Sequence, residues 1–343
     1  MKPTKFELGI TTFAETMPNP ATGDVISYDE RIRQVVTEIE LADQLGLDYF
    51  GVGEHHREDF AASAPHMILA AAARTTNHIK LGSAVTVLSS EDPIRVYQNF
   101  ATLQALSSGR AELLAGRGSF IESFPLFGYD LSDYDKLFSE KLELLLAARD
   151  NEMVSWSGTT RPPVNNLGVY PRPEQKLPVS IAVGGTRSSV VRAARLGLPL
   201  FIAIIGGEPL RFKPLVDLYK QVYLESGHPE DEMFISIHSH GWIDENHGKA
   251  VQEYFPSIEP AMSKIGRERG WGRYTMATYQ HAISMEGALY VGDPAYVAKK
   301  INYLKDNLGI NRFALHVPMG YMDHEKVLKT IELFATKVRP LIK

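Results

Sequence analysis

Strand-like and helix-like segments alternate along this chain almost from end to end, and that alternation limits the fold more than any other feature. Strand-like runs stand at 6–13, 47–53, 79–88, 111–117, 179–183, 200–205, 234–243 and 312–317. Between them, helical periodicity covers 28–45, 65–75, a segment from Asp92-Pro93 to near Gly109, 136–149, 188–196 and 209–225, with a closing helix over 323–338. Strands alternating with helices imply a parallel sheet, and eight units favour a closed (β/α)8 TIM barrel over an open sheet. The open alternative needs a glycine-rich dinucleotide turn, and no G-x-G-x-x-G or G-x-x-x-x-G-K-[ST] follows any strand. Two insertions interrupt the pattern: a Pro-rich connection over 156–176, after the fourth helix, and 257–286, before the last strand. No repeat or linker divides the chain, so residues 1–343 are expected to form one domain.

Composition narrows the chemistry. The chain lacks cysteine, which excludes disulfides, thiolate metal sites and a cysteine nucleophile, and fits a reducing cytoplasm. A net charge of −5, with both signs interspersed, leaves no basic footprint for nucleic acid. The start runs straight into a strand rather than an apolar leader, and no apolar run approaches the roughly 18 residues of a membrane span.

The second strand ends in Gly51-Val52-Gly53-Glu54-His55-His56. Alternating side chains put Tyr49, Gly51, Gly53 and His55 on one face, and Phe50, Val52 and Glu54 on the other. Phe50 and Val52 suit packing under a helix, while the two glycines leave room in front of His55. A histidine at the C-terminal end of a barrel strand is placed for catalysis. The same alternation keeps Glu54, His55 and His56 from converging on one metal ion. His238 and His240 form an H-x-H pair with both rings on one face of the seventh strand. They are read as polar groups lining the barrel mouth, and no metal is expected.

Gly184-Gly185-Thr186-Arg187-Ser188-Ser189 lies where the fifth strand becomes a helix. Glycines allow close backbone approach, and a helix N-terminus offers free N–H groups and the positive dipole end to a phosphate. Gly116-Arg117-Gly118-Ser119 ends the neighbouring fourth strand, so both loops are expected to grip one phosphate. Gly82-Ser83-Ala84-Val85, on the third strand, is small either to admit a flat ligand or because the barrel is narrow there.

Taken in order, these motifs resemble the bacterial-luciferase-like flavin monooxygenases over nearly the full length. The matching residues are Glu54-His55-His56, 81–88, Asp92-Pro93-Ile94-Arg95, 106–110, Gly116-Arg117-Gly118, Tyr170-Pro171-Arg172-Pro173 and 193–199. Ile204-Ile205-Gly206-Gly207, Arg269-Gly270-Trp271 and Val291-Gly292-Asp293-Pro294 are similar to an unassigned branch of that family.

The resemblance implies a barrel that holds reduced FMN at its C-terminal mouth and uses O2, through a C4a-peroxyflavin, to oxidise a small organic substrate. It further implies a separate NAD(P)H:flavin reductase. His55 falls on the histidine that assists proton transfer. Arg117, Ser119, Gly184, Gly185, Thr186 and Ser189 fall on the phosphate site, and Ala84-Val85 on a non-prolyl cis peptide beneath the flavin ring. Gly116 stands where the light-emitting members carry a reactive cysteine, which argues against light emission. Sister enzymes with the same barrel transfer hydride with F420, but usually carry Asp-His at the end of the second strand; a non-catalytic flavin-binding protein is a further alternative. Family members pair through the second and third helices, and the nearly all-apolar helix over 65–75 fits a homodimer. Glycines, arginines and aromatics over 260–286 suggest a mobile lid.

Overall fold

The computed structural model describes residues 5–118 and 120–343. Eight parallel strands close into a barrel: β1 (Glu7–Thr12), β2 (Tyr49–Val52), β3 (Lys80–Ser83), β4 (Ala111–Gly116), β5 (Val179–Val183), β6 (Leu200–Ala203), β7 (Ile235–Ile243) and β8 (Arg312–His316). Strand β8 pairs with both β1 and β7, and β7 also pairs with β6, which completes the ring.

Local sequence explains why the intervening helices start where they do. Ser27 accepts from the Glu30 N–H at the head of Tyr28–Gln44, and Asp92 accepts from the Ile94 and Arg95 N–H groups at the head of Pro93–Leu106. Both are side-chain caps of otherwise orphaned donors. Outward residues such as Leu8, Ile10, Phe50 and Val52 are buried in the main core, beneath the helices.

Inward residues stack in layers. At the N-terminal end, Arg312 is ion-paired to Glu7 (2.6 Å) and Glu112 (2.7 Å), and Lys80 reaches Glu7 (2.6 Å). Above them Tyr49, Leu114, Phe201 and Ala314 form a compact apolar layer. A Cβ on Gly82 would lie 2.4 Å from the Tyr49 ring, so the small residue on β3 makes room for Tyr49. The narrow-barrel reading of that position is therefore the correct one. Thr11, His238, His240 and His316 form the uppermost layer, all buried.

Three expectations need correction. The strand over 79–88 is broken: β3 ends at Ser83 and Thr86–Val87 pairs separately with β4, while the Ala84–Val85 peptide between them is cis, as the resemblance implies. Part of the connection over 156–176 is ordered, since Met153–Trp156 and Val164–Gly168 pair as an antiparallel hairpin that buries Trp156 and Val164. The segment before β8 begins as a helix, His247–Glu268, followed by helix Met276–Ile283 and a short strand, Tyr290–Gly292. That strand pairs with the far half of β7, which explains why β7 is long and buried throughout.

Candidate active site

Glu54 is committed to the backbone. Its N–H donates to the Val85 carbonyl (3.0 Å), and its carboxylate accepts from the Val87 N–H (2.9 Å) while contacting His56 Nε2 (2.9 Å). The Ala84 N–H donates to the Val52 carbonyl at 2.8 Å. Ala84 and Val85 are thereby pinned against the end of β2.

His55 lies inside an aromatic enclosure, with ring centroids 4.6 Å from Phe13, 4.4 Å from Phe60 and 5.3 Å from Phe120. The glycines do not clear a cavity in front of it. A Cβ on Gly51 would lie 2.7 Å from the Tyr49 hydroxyl, and one on Gly53 would lie 2.4 Å from the Phe13 ring, so Tyr49 and Phe13 take that room. His55 Nε2 is buried and has no hydrogen-bond partner among the described residues. Burial lowers the imidazole pKa to about 3, helped by His316, His56 and Arg57. His55 is thus a neutral imidazole with one unused ring nitrogen.

The loops after β4 and β5 converge as expected. Arg117 Nη2 donates to Thr186 Oγ1 (3.2 Å) while Nη1 meets Asp135 (2.5 Å), and the guanidinium lies 5.0 Å from the Tyr134 ring centroid. Thr186 occupies the N-cap of helix Arg187–Arg195, but its side chain makes no capping bond. The hydroxyl is turned toward Arg117, which leaves the first amides of the helix available. Cβ atoms on Gly184 or Gly185 would meet nothing within 4 Å. The result is open space beside an arginine and uncapped amides, which could receive a phosphate. Ser189 is buried in the first turn of the helix, and Ser119 lies outside the described residues.

Deeper in the mouth, His316 joins the expected His238–His240 pair. Residues 240 and 316 are directly opposite in the β7–β8 register. His316 Nε2 is 2.7 Å from Glu15 Oε1, and Thr11 Oγ1 is 2.8 Å from His238 Nδ1 and 3.2 Å from His316 Nδ1. His238 and His240 are held well below the usual imidazole range, by burial first and by His316 second. Sequence reasoning missed His316, although it ends its strand on the inward face just as His55 follows β2.

Over this mouth lies the end of helix His247–Glu268. Arg57 reaches Glu268 (2.6 Å), Glu122 (2.6 Å) and Asp59 (3.4 Å), and Lys264 reaches Asp59 (2.5 Å). The guanidinium groups of Arg57 and Arg269 lie 4.4 and 5.4 Å from the Phe120 ring centroid. The cavity between Glu15, Phe60 and Phe120 measures only about 10 Å³.

The sequence profile of the luciferase-like monooxygenases matches residues 6–312, from β1 to the first residue of β8. The chain belongs to the luciferase-like monooxygenase family. Among curated luciferase-like relatives, the uncharacterized protein y4vJ of Sinorhizobium fredii is 24% identical over 323 residues, 91% of this chain and 92% of that one. The N-acetyl-S-alkylcysteine monooxygenase of Bacillus subtilis is 31% identical over 185 residues, 52% of this chain and 53% of its own length.

Solved structures share the luciferase-like fold. The monooxygenase RslO1 of Streptomyces bottropensis superposes with a TM-score of 0.83 at 22% identity, covering 97% of this chain and 99% of that one. The oxygenating constituent of 3,6-diketocamphane monooxygenase from Pseudomonas putida, in complex with FMN, gives 0.79 at 16% identity over 99% of both chains. The coenzyme F420 dependent tetrahydromethanopterin reductase of Methanopyrus kandleri gives 0.74 at 20% identity, covering 99% of this chain and 100% of that one.

Proposed function

We propose that this luciferase-like protein is a monooxygenase that works with reduced FMN and O2 on a small organic substrate, its flavin reduced by a separate NAD(P)H:flavin reductase. The observation that carries this reading is the open cradle where Arg117 meets Thr186 beside an uncapped helix N-terminus. A flavin phosphate there would receive charge-assisted bonds from Arg117 and amide bonds from the helix. The preference for FMN over F420 rests on Glu54-His55-His56, where the F420-using sister enzymes usually carry Asp-His.

Bound reduced flavin supplies the electrons for the reaction with O2. The chain's own residues do the rest. Glu54 fixes the segment of Ala84 and Val85, which would face the ring. His55, neutral and with Nε2 unpaired, would offer a hydrogen bond at that atom to the reacting group and take up a proton only transiently. Phe13, Phe60 and Phe120 keep water from it. The cavity of about 10 Å³ is too small for a ring system, so its lining, which includes Phe60 and Phe120, would have to open to admit one. The reading extends to a cytoplasmic location and to a homodimer paired through helix Pro65–Ala73, whose outer face carries the exposed Met67 and Ala71.

Titration of the purified chain with FMN, riboflavin and F420, followed by fluorescence, tests the cofactor. FMN is expected to bind at least tenfold more tightly than riboflavin. Turnover is expected to fall in His55→Ala while FMN affinity changes only a few fold. Tight F420 binding without FMN binding would transfer the chain to the hydride-transfer branch. Light scattering at micromolar concentration tests the dimer, and a monomer there refutes it.

A further inference from the structure

We infer that His238, His240 and His316 form a divalent-metal site at the floor of the barrel mouth, built for an ion of the zinc or cobalt class. The inference goes beyond the flavin reading and does not depend on it.

Strand geometry assembles the ligands. Residues 238 and 240 are two apart on β7 and share a face, and the β7–β8 register places His316 directly opposite His240. One ring nitrogen from each histidine lies within 4.8 Å of those of the other two. Zinc–nitrogen bonds of about 2.0–2.1 Å in a tetrahedral site require nitrogens roughly 3.4 Å apart, so small side-chain rotations close the set. The H-x-H pair alone offers only two ligands, and the third arrives through register rather than local spacing.

The surroundings are those of a ligand set. Glu15, itself buried, binds Nε2 of His316, which orients that ring so that Nδ1 is presented to the cluster. A carboxylate behind a metal-binding histidine fixes its tautomer and raises its basicity. The other carboxylate oxygen of Glu15 accepts from Thr12 Oγ1 at 3.2 Å, so Glu15 is itself held.

Hydrogen bonding accounts for His238 and His316 but not for His240. Thr11 Oγ1 stands between Nδ1 of His238 and Nδ1 of His316, but one hydroxyl has a single proton to give. One of those nitrogens can accept it; the other must be the N–H tautomer. His240 Nδ1 has no partner at all among the described residues, although it is buried. Buried polar atoms are seldom left so, and an ion would take the lone pair of His240 together with one from each of the other two rings, the N–H tautomer shifting or losing its proton. An all-imidazole donor set with a single outer carboxylate favours zinc, cobalt, nickel or ferrous iron over magnesium or calcium, which take oxygen ligands.

The test uses untagged full-length chain, freed of flavin and dialysed against a chelator, then titrated with Co2+ and challenged with Zn2+. One Co2+ per chain is expected, with visible absorption of a nitrogen-rich site that Zn2+ abolishes. His240→Ala and His316→Ala should each weaken Co2+ at least a hundredfold, and Glu15→Gln by about 10–100-fold. His281→Ala, at an exposed histidine, should leave it unchanged. X-ray absorption of the zinc-loaded wild-type chain should show three imidazole nitrogens, a result that does not depend on how the variants fold. Substoichiometric Co2+ in the wild type, a zinc shell without imidazole, or undiminished affinity in the triple alanine variant of 238, 240 and 316 overturns the site. Neither FMN nor F420 is present, so failure here is distinct from failure of the flavin reading.

Discussion

The side chain of Val85 occupies the volume that any side chain at position 116 would need: a Cβ on Gly116 would come 2.6 Å from a Val85 methyl. This contact joins β4 to the segment held by Glu54, and a cysteine at 116 would require Val85 to shift. Gly116→Ala is expected to destabilise the protein by about 1–3 kcal/mol, the usual cost of overpacking a filled site. It should also weaken FMN, because Val85 must move. Unchanged denaturation and affinity would mean that the contact relaxes freely.

Arg117→Ala should weaken FMN by tenfold or more and leave riboflavin nearly unaffected, since a charge-assisted bond of about 1.5–3 kcal/mol is lost only with the phosphate. Asp135 is ion-paired to the same guanidinium and would compete with a phosphate for it. Asp135→Asn is therefore expected to tighten FMN. Paired titrations of both variants with both flavins check this, and equal losses for FMN and riboflavin would remove Arg117 from the phosphate site.

Much of the barrel was legible because its signals are local. β5 is bounded by Pro178 and Gly184, and the structure gives the span read from the sequence. The uninterrupted apolar pattern over 79–88 hides the break at Ala84–Val85, because hydrophobic periodicity reports burial and not the path of the backbone. Tyr290–Gly292 is too short to stand out, and Pro256 and Pro260 disguise helix His247–Glu268, where both are accommodated. The cradle was readable from Gly184-Gly185-Thr186 and Arg117. Thr11, Glu15 and His316 were not, for they meet only through strand register across nearly the whole length of the chain.

Acid should destabilise the protein through its buried histidines. The pKa of His55 falls to about 3, and those of His238 and His240 lie well below the ordinary value of 6.5. Below about pH 6.5 the unfolded chain takes up protons at these positions that the folded chain does not, so stability falls with pH at about 1.4 kcal/mol per unit for each such group. For His55 the loss continues down to about pH 3. Denaturant unfolding at about pH 8 and about pH 5 should show this decline, and His55→Phe should reduce its slope by one proton. Equal stability at both would mean that these rings are protonated in the fold.

Arg57 ties three carboxylates from different segments, and its loss should act locally more than globally. Glu122 and Glu268 are more than a third exposed, so solvent screening limits the global loss in Arg57→Ala to about 1 kcal/mol. Cleavage between 266 and 275 should nevertheless accelerate, because the end of helix His247–Glu268 loses its tie to the β2 loop. Limited proteolysis with and without FMN reads this directly. Protection by FMN in the wild type would support a moving lid, whereas a cleavage rate unaffected by the variant would assign the segment to the static frame.

At the opposite end of the barrel, Arg312→Met should cost about 3–5 kcal/mol, since it leaves the two carboxylates of Glu7 and Glu112 to share Lys80 alone beside an apolar layer. Adding Glu7→Gln and Glu112→Gln should restore part of that loss. Recovery in the triple variant distinguishes stranded charge from lost packing, and chemical denaturation of the series measures it.

The same ionic layer makes the barrel a vessel with one door. Arg312, Glu7, Glu112 and Lys80 seal its base, and Tyr49 and Phe201 fill the level above, so nothing reaches the histidines from below. Whatever occupies the floor of the mouth must arrive before anything seated over it and depart after it. Order of addition is thereby written into the architecture: a deep occupant and a shallow one follow a compulsory sequence, and an excess of the shallow one imprisons the deep one.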